Sequence, residues 1–241
     1  MKTLLISDLH LDPASPAIAR QFLAFLDDQA RAARALYILG DLFEAWLGDD
    51  DPAPASREIV EALRRLTDAG VPCFVMRGNR DFMLGERFCA DTGATLLEDG
   101  SIVELEGERV LLLHGDRLCT DDVSYQRFRR VVRSPVALWL LRHMSLERRQ
   151  ALARKMREGS RMHVTATRPE IMDVNANAVA AAFRRSGVRT MIHGHTHRPA
   201  IHTLEVDREP RRRIVLGDWY TQGSVLEVSP AGWELRALLR G

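Results

Sequence analysis

The chain has 241 residues, 46% hydrophobic and 28% charged, an ordinary globular composition that allows one sizeable core, or one core with an insertion. Its 34 basic and 33 acidic residues leave a net charge of +1, so the surface makes no general case for nucleic-acid binding. Three cysteines, Cys73, Cys89 and Cys119, odd in number and without C-x-x-C spacing, argue against a disulfide framework or structural zinc knot and fit a reducing cytoplasm.

In chain order, "MKTLLISDLH" opens with an apolar run too short for a signal-peptide core. "TLLIS" reads as a strand, and Ser15-Pro16 predicts a helix start, an N-cap residue followed by proline at the first helical position. That helix sets Ile18, Phe22, Phe25 and Leu26 on one face. Next come "LYIL", a helix from about Ser56 to Ala69 ended by Gly70, "CFVM", a short helix and "RVLLLH". From Asn175 to Arg185 a helix is stopped by Gly187, and "RTMIH" follows as a strand. The last forty residues read as strands and turns. Strand–helix alternation predicts an α/β protein with a largely parallel sheet, and a more antiparallel sheet added toward the C-terminus.

The stretch from about 121 to 173 interrupts this alternation. Between Arg127 and Arg161 it carries eleven Lys or Arg residues against Glu147 and Glu158, interleaved with Phe128, Val131, Val132, Leu138, Trp139, Leu140, Leu141 and Met144. We read it as an inserted helical cap. A solvated helical hairpin accounts for the pattern, and so does a basic, partly apolar surface facing an anionic lipid layer or an amphipathic ligand. The run "VALWLL" (Val136 to Leu141) is far shorter than the roughly 20 residues of a membrane-spanning helix, so the expectation is a soluble protein, attached at most to a membrane surface.

Polar residues gather at strand ends. Asp8 and His10 follow "TLLIS", Asp41 follows "LYILG", Asn79 follows "CFVMRG", His114 ends "VLLL", and His195 and His197 follow "RTMIHG". Each has an ordinary explanation by itself: a turn for Asp8 and His10, a helix cap for Asp41, a turn for Asn79, a satisfied core histidine for His114. Together they decorate five strand ends, which in open α/β sheets converge on the ligand crevice. Two aspartates, one asparagine and four histidines form an oxygen and nitrogen donor set without thiolate. That set suits Mn²⁺, Fe²⁺ or Zn²⁺ in a catalytic site and is large enough for two ions sharing a carboxylate. His193, in step with His195 and His197 but inside the strand, reads as a core histidine or one that supports a ligand. Asp81 and Asp116 read either as partners that orient histidines or as turn caps.

The motifs "DLH" at 8–10, "GDLFE" at 40–44, "GNRD" at 78–81, "HGD" at 114–116 and "GHTH" at 194–197 resemble, in order and spacing, the calcineurin-like metallophosphoesterases. The resemblance covers nearly the whole chain. It implies an αββα sandwich in a single domain over 1–241, with the cap inserted and a dinuclear centre at the strand ends. Arg80 stands where many members have histidine, and Glu44 where many have aspartate. With "HGDRLCTDD", "IMDVN", "HGHTHRPA" and "LGDW", these details resemble the UDP-2,3-diacylglucosamine diphosphatase family of lipid A biosynthesis.

That resemblance implies two Mn²⁺ per chain and cleavage of the pyrophosphate of UDP-2,3-diacylglucosamine to UMP and 2,3-diacylglucosamine 1-phosphate (lipid X). Metal-activated hydroxide would attack the α phosphorus, at the cytoplasmic face of the inner membrane of a Gram-negative cell. It places Asp8, His10, Asp41 and His197 on one metal and Asp41, Asn79, His114 and His195 on the other, with Asn79, Arg80, Asp122, Ser160 and His195 against substrate. Two cap positions that usually carry asparagine and lysine are Val164 and Thr167 here, with Arg168 adjacent, and are left unassigned. Val131, Val132, Trp139 and Leu140, with the surrounding arginines, are candidates for an acyl groove with a basic rim. The rival readings are a general nucleotide phosphodiesterase or nuclease of the superfamily, and a non-catalytic scaffold. The cap's few aromatics suit base stacking poorly, and all seven ligands are present.

Overall fold

A computed structural model describes residues 1–50, 54–166, 173–220 and 222–238, with side chains outside that description at 54–55, 157 and 159–166. The elements run β1 (Thr3–Ile6), α1 (Pro16–Asp28), β2 (Ala35–Leu39), α2 (Pro54–Asp68), β3 (Cys73–Met76), α3 (Glu86–Thr92), β4 (Thr95–Leu97), β5 (Ser101–Leu105) and β6 (Glu108–Leu113). Then come α4 (Val123–Val132), α5 (Pro135–His143), α6 (Leu146–Ala166), α7 (Ala176–Ser186), β7 (Thr190–His193), β8 (Ala200–Val206), β9 (Glu209–Val215), β10 (Gly223–Ser229) and β11 (Gly232–Leu238).

Two mixed sheets pack face to face. The six-stranded sheet has the order β11-β10-β1-β2-β3-β4 and the five-stranded sheet β5-β6-β7-β9-β8. Strands β1 to β4 are mutually parallel, as are β6, β7 and β9. The alternation of a strand explains the layering. In β1, Leu4 and Ile6 face α1 to α3, where Phe22, Phe25, Leu63 and Phe88 fill the core. Leu5, with Tyr37, Leu39 and Met76, faces Val110, Leu112, Ile192 and Ile214 of the second sheet. Behind that sheet, Leu111, Leu113 and Met191 pack on Val179 and Phe183 of α7. Burial on both faces is why "TLLI", "ALYIL" and "TMIH" are continuous apolar runs.

One expectation needs correction. The C-terminal strands do not build a separate antiparallel sheet: β10 joins β1 and carries β11, whereas β8 and β9 extend the other sheet, with β9 parallel to β7. Ser15 stands at the N-cap and Pro16 opens α1, as expected, although the Ser15 hydroxyl makes no capping bond, and the Ala14 amide donates to Asp12 Oδ1. The helices α4 to α6 stand apart from the three cores. No side chain of α4 or α5 is fully buried, although Leu141 packs against the first core. Buried Arg149 fastens α6 to the loop after β2 through Asp50 and the Leu47 carbonyl. The three cysteines are all free.

Candidate metal centre

The loops after β1, β2, β3, β6 and β7 converge at one edge of the sandwich. Asp8, His10, Asp41, His195 and His197 all have positive φ, between 51° and 70°. Side chains rarely adopt this left-handed backbone, which costs on the order of 1 kcal/mol per residue and aims successive side chains inward. Backbone bonds tie the loops together: the Asp8 amide donates to Gly40 O and the His10 amide to Asp41 O. Asp81, fully buried, accepts from the amides of Leu42 (2.8 Å) and Gly78 (2.7 Å), fastening the Asp41 loop to the Asn79 loop. Neither Asp81 nor Asp116 bonds to a histidine among the described residues. Asp116 instead takes Arg129 at 2.7 Å, Arg133 at 3.1 Å and the Tyr125 hydroxyl at 2.9 Å, which docks α4 on the site.

The donor atoms fall into two groups. In the first, His10 Nε2 and His197 Nε2 lie 3.3 Å apart, with Asp8 Oδ1 3.4 Å from His197 and Asp41 Oδ2 3.7 Å from His10. In the second, Asn79 Oδ1 lies 2.9 Å from both His114 Nε2 and His195 Nδ1, and Asp41 Oδ1 is 3.8 Å from His114 Nε2. Asp41 therefore turns one oxygen to each group. All seven residues predicted from the strand ends are brought together.

The donor set fits divalent metal ions. Asp8 Oδ1 is buried without a hydrogen-bond partner among the described residues, and Asp8 belongs to two triads of donors, with His10 and His197 and with Asp41 and His114, each with its ligand atoms within 4.8 Å of one another. Burial raises the Asp8 carboxyl, but the neighbouring His197, His114 and His10 outweigh it and hold the group below the ordinary carboxylate range. Burial lowers His114, yet the carboxylates of Asp41, Asp116 and Asp8 push it up to about 9. His195 is pushed down to about 4 by burial and by His114. A cluster that concentrates carboxylates around nitrogen donors in a dry site favours a cation.

Three groups that orient the histidines escaped the sequence reading. His10 Nδ1 bonds to Glu44 Oε2 at 3.1 Å, His114 Nδ1 to the Leu39 carbonyl at 2.9 Å, and His197 Nδ1 lies 3.6 Å from Asp218. Such partners fix the tautomer that leaves the other ring nitrogen as a donor to metal. Glu44 and Asp218 lie in "GDLFE" and "LGDW", so their presence was visible but not their role; the carbonyl leaves no sequence signal. Tyr220 stacks on His10 with centroids 5.0 Å apart, and Tyr125 on His195 at 6.0 Å. His193 is buried, with Nδ1 on the Gly194 carbonyl and Nε2 accepting from Arg213, and is pushed down to about 4 by burial. It is a structural histidine, outside the donor groups.

A cavity of about 380 Å³ opens beside the second group, with Glu44, Asn79, Arg80 and Tyr125 in its wall. The rest of the wall is mainly apolar, including Trp46, Phe82, Phe128, Val132, Leu141 and Leu152, with Arg129, Arg133 and Arg149 among them. Of the cap residues suggested for a groove, Val132 lines it, whereas Val131 (65% exposed), Trp139 (57%) and Leu140 (52%) are on the outer surface. Arg80 Nη1 lies 3.6 Å from Glu44 Oε1. Asp122 caps α4, accepting from the Tyr125 amide. The side chains of Ser160 and Val164, and Thr167 and Arg168 entirely, lie outside the described residues.

This fold with this centre defines a metal-dependent phosphoesterase, and the chain belongs to the calcineurin-like phosphoesterase family, whose family model matches residues 1–199. Within it the chain groups with the UDP-2,3-diacylglucosamine hydrolases. It is 54% identical over 232 residues to the protein so named from Pseudomonas entomophila (strain L48), covering 96% of this chain and 97% of that one. To its counterpart from Azotobacter vinelandii it is 55% identical over 235 residues, 98% of each chain.

Proposed function

We propose that the chain hydrolyses the pyrophosphate bond of UDP-2,3-diacylglucosamine, with two Mn²⁺, to UMP and 2,3-diacylglucosamine 1-phosphate in lipid A biosynthesis. The observation that carries this reading is the juxtaposition of two donor groups sharing Asp41 with an apolar cavity walled by α4 to α6. A polar diphosphate and two acyl chains need those two environments side by side. The relatives' name supplies the same substrate.

Asp8, His10, Asp41 and His197 would hold one ion and Asp41, Asn79, His114 and His195 the other. When bound, the pair supplies Lewis-acid polarisation of phosphoryl oxygens and lowers the pKa of the attacking water. Asp41 shares its charge between the groups, while Glu44, Leu39 O and Asp218 hold the imidazoles in the ligating tautomer. Arg80, in the cavity wall beside Asn79, meets the phosphate that leaves. A phosphate departs readily as an anion, so it needs neutralisation rather than a proton, and a guanidinium is charged at every working pH. Asp122 would add a polar contact and the cavity takes the acyl chains, while the assignment of Ser160, whose side chain lies outside the described residues, rests on the family resemblance alone. The outward Val131, Trp139 and Leu140, among the arginines of α4 to α6, would rest on the anionic cytoplasmic face of the inner membrane. No described helix is long and apolar enough to cross a membrane.

The rival is a general nucleotide phosphodiesterase or nuclease. A mainly apolar wall suits acyl chains better than a charged nucleic-acid backbone. Purified chain supplied with Mn²⁺ should hydrolyse UDP-2,3-diacylglucosamine, lose activity in EDTA, and lose at least 10³-fold on His114→Ala. Turnover of DNA or of simple diesters in preference to the diacylated diphosphate, with salt-sensitive DNA binding, would establish the rival instead.

A further inference from the structure

The two positions that depart from the wider superfamily pattern, Glu44 for aspartate and Arg80 for histidine, touch each other. They lie on different loops, after β2 and β3, 36 positions apart in the chain. Glu44 divides its carboxylate: Oε2 is 3.1 Å from His10 Nδ1 and Oε1 is 3.6 Å from Arg80 Nη1. It is the ion-pair partner of Arg80 among the described residues, and both line the cavity. An aspartate is one methylene shorter, and from the same backbone it could serve one of these partners but not both.

We propose that Glu44 is a positioning residue that couples the first donor group to the cavity, fixing the His10 tautomer with one oxygen and placing the Arg80 guanidinium with the other. Glu44 and Arg80 then act as one unit. Arginine projects its charge further and more flexibly than histidine, so it needs an anchor at the cavity wall. The carboxylate that pairs with it among the described residues also holds His10, which places the cation at a set distance from the reacting phosphates. This rests on the function proposed above only in naming the leaving phosphate as what Arg80 meets.

A double-mutant cycle separates the two oxygens. In Glu44→Gln the amide carbonyl still accepts from His10, but its NH₂ turns to Arg80, donor against donor. Glu44→Gln should lower kcat/KM on UDP-2,3-diacylglucosamine about tenfold or more in the wild-type background, and by less than about twofold in Arg80→Ala. Equal losses in both backgrounds would overturn the coupling. In calorimetric titrations with Mn²⁺ alone, Glu44→Gln should bind within about threefold of wild type and Glu44→Ala about tenfold or more weaker. Wild-type affinity in Glu44→Ala would overturn the His10 half of the proposal whatever substrate the enzyme uses. If wild type does not cleave the diacylated substrate, the proposed function fails. The cycle is then read on an aryl phosphodiester, where additive losses still overturn the coupling.

Discussion

Backbone strain and close packing at single residues set the precision of the centre. A Cβ at Gly78 would stand 2.1 Å from Asp41 Oδ1 and 2.2 Å from the Asp41 amide, neither of which can retreat. Gly78→Ala should therefore weaken Mn²⁺ binding at least tenfold, by displacing the carboxylate that serves both donor groups. Gly70→Ala is the control: its φ of +87° strains an alanine, but nothing lies within 4 Å, so it should cost about 1 kcal/mol of stability and leave metal affinity alone. Isothermal titration and thermal melts of the two variants check this. A second expectation concerns Arg80. Arg80→Ala should reduce turnover of the diphosphate more than that of an aryl phosphodiester with an equally good leaving group, and equal losses would remove its charge-neutralising role. The gathering of seven donor residues at one sheet edge was legible because each polar side chain follows an apolar strand, and burial makes that contrast sharp. The groups that orient them were not. Glu44 and Asp218 look like any carboxylate near a turn, and the Leu39 carbonyl is invisible in a sequence. Asp81 and Asp116 stood open between orienting histidines and capping turns: Asp81 caps loops by accepting from backbone amides, and Asp116 binds arginines and a tyrosine, a choice fixed by which loops meet in space.

Among the elements, α4 shows how one helix serves two purposes. Tyr125, Arg129 and Arg133 recur at four-residue spacing and meet Asp116, with Arg133 also donating to the Gly78 carbonyl at 2.8 Å. One residue behind, Ser124, Phe128 and Val132 line the cavity. The helix thus carries the cavity wall on a face adjoining its anchor to the Asn79 loop. Phe128→Asp or Val132→Asp should raise KM for the diacylated substrate about tenfold or more while changing that for a short-acyl analogue little. Parallel losses on both substrates would mean that the cavity does not hold the chains. For the outer surface, Trp139→Ser with Leu140→Ser should weaken binding to anionic lipid vesicles in a sedimentation assay, with undiminished binding counting against a membrane-facing role. The insertion and its mixed basic and apolar composition could be read directly. Which apolar residues turn inward could not, because α4 and α5 carry apolar side chains on more than one face and no helical periodicity separates wall from surface.

For the molecule as a whole, the four-layer stack was legible from strand–helix alternation and the motif resemblance, but the destination of the last strands was not, since antiparallel strands carry no mark of the edge they join. β10 lies against β1, and there buried Glu227 pairs with Lys2 and Arg236 across the sheet. Burial raises this carboxyl, but its hydrogen bonds to Lys2 and Arg236 more than compensate and hold it below the ordinary glutamate value of 4.5. A group depressed in the fold stabilises it above its unfolded pKa and loses that contribution as pH falls through the folded value. Glu227→Gln should thus cost about 1 kcal/mol at pH 7, a Tm lower by about 2–4 °C, and the gap from wild type should narrow as pH falls below the ordinary glutamate value and through the depressed folded one.

The central claim, that this sandwich edge directs water to the α phosphorus of a lipid-linked nucleotide diphosphate, is tested most directly by Mn²⁺-dependent hydrolysis of UDP-2,3-diacylglucosamine in H₂¹⁸O, with both products analysed by mass spectrometry. The label should appear in UMP and not in 2,3-diacylglucosamine 1-phosphate. Label in the lipid product, or no Mn²⁺-dependent cleavage at all, would contradict the account.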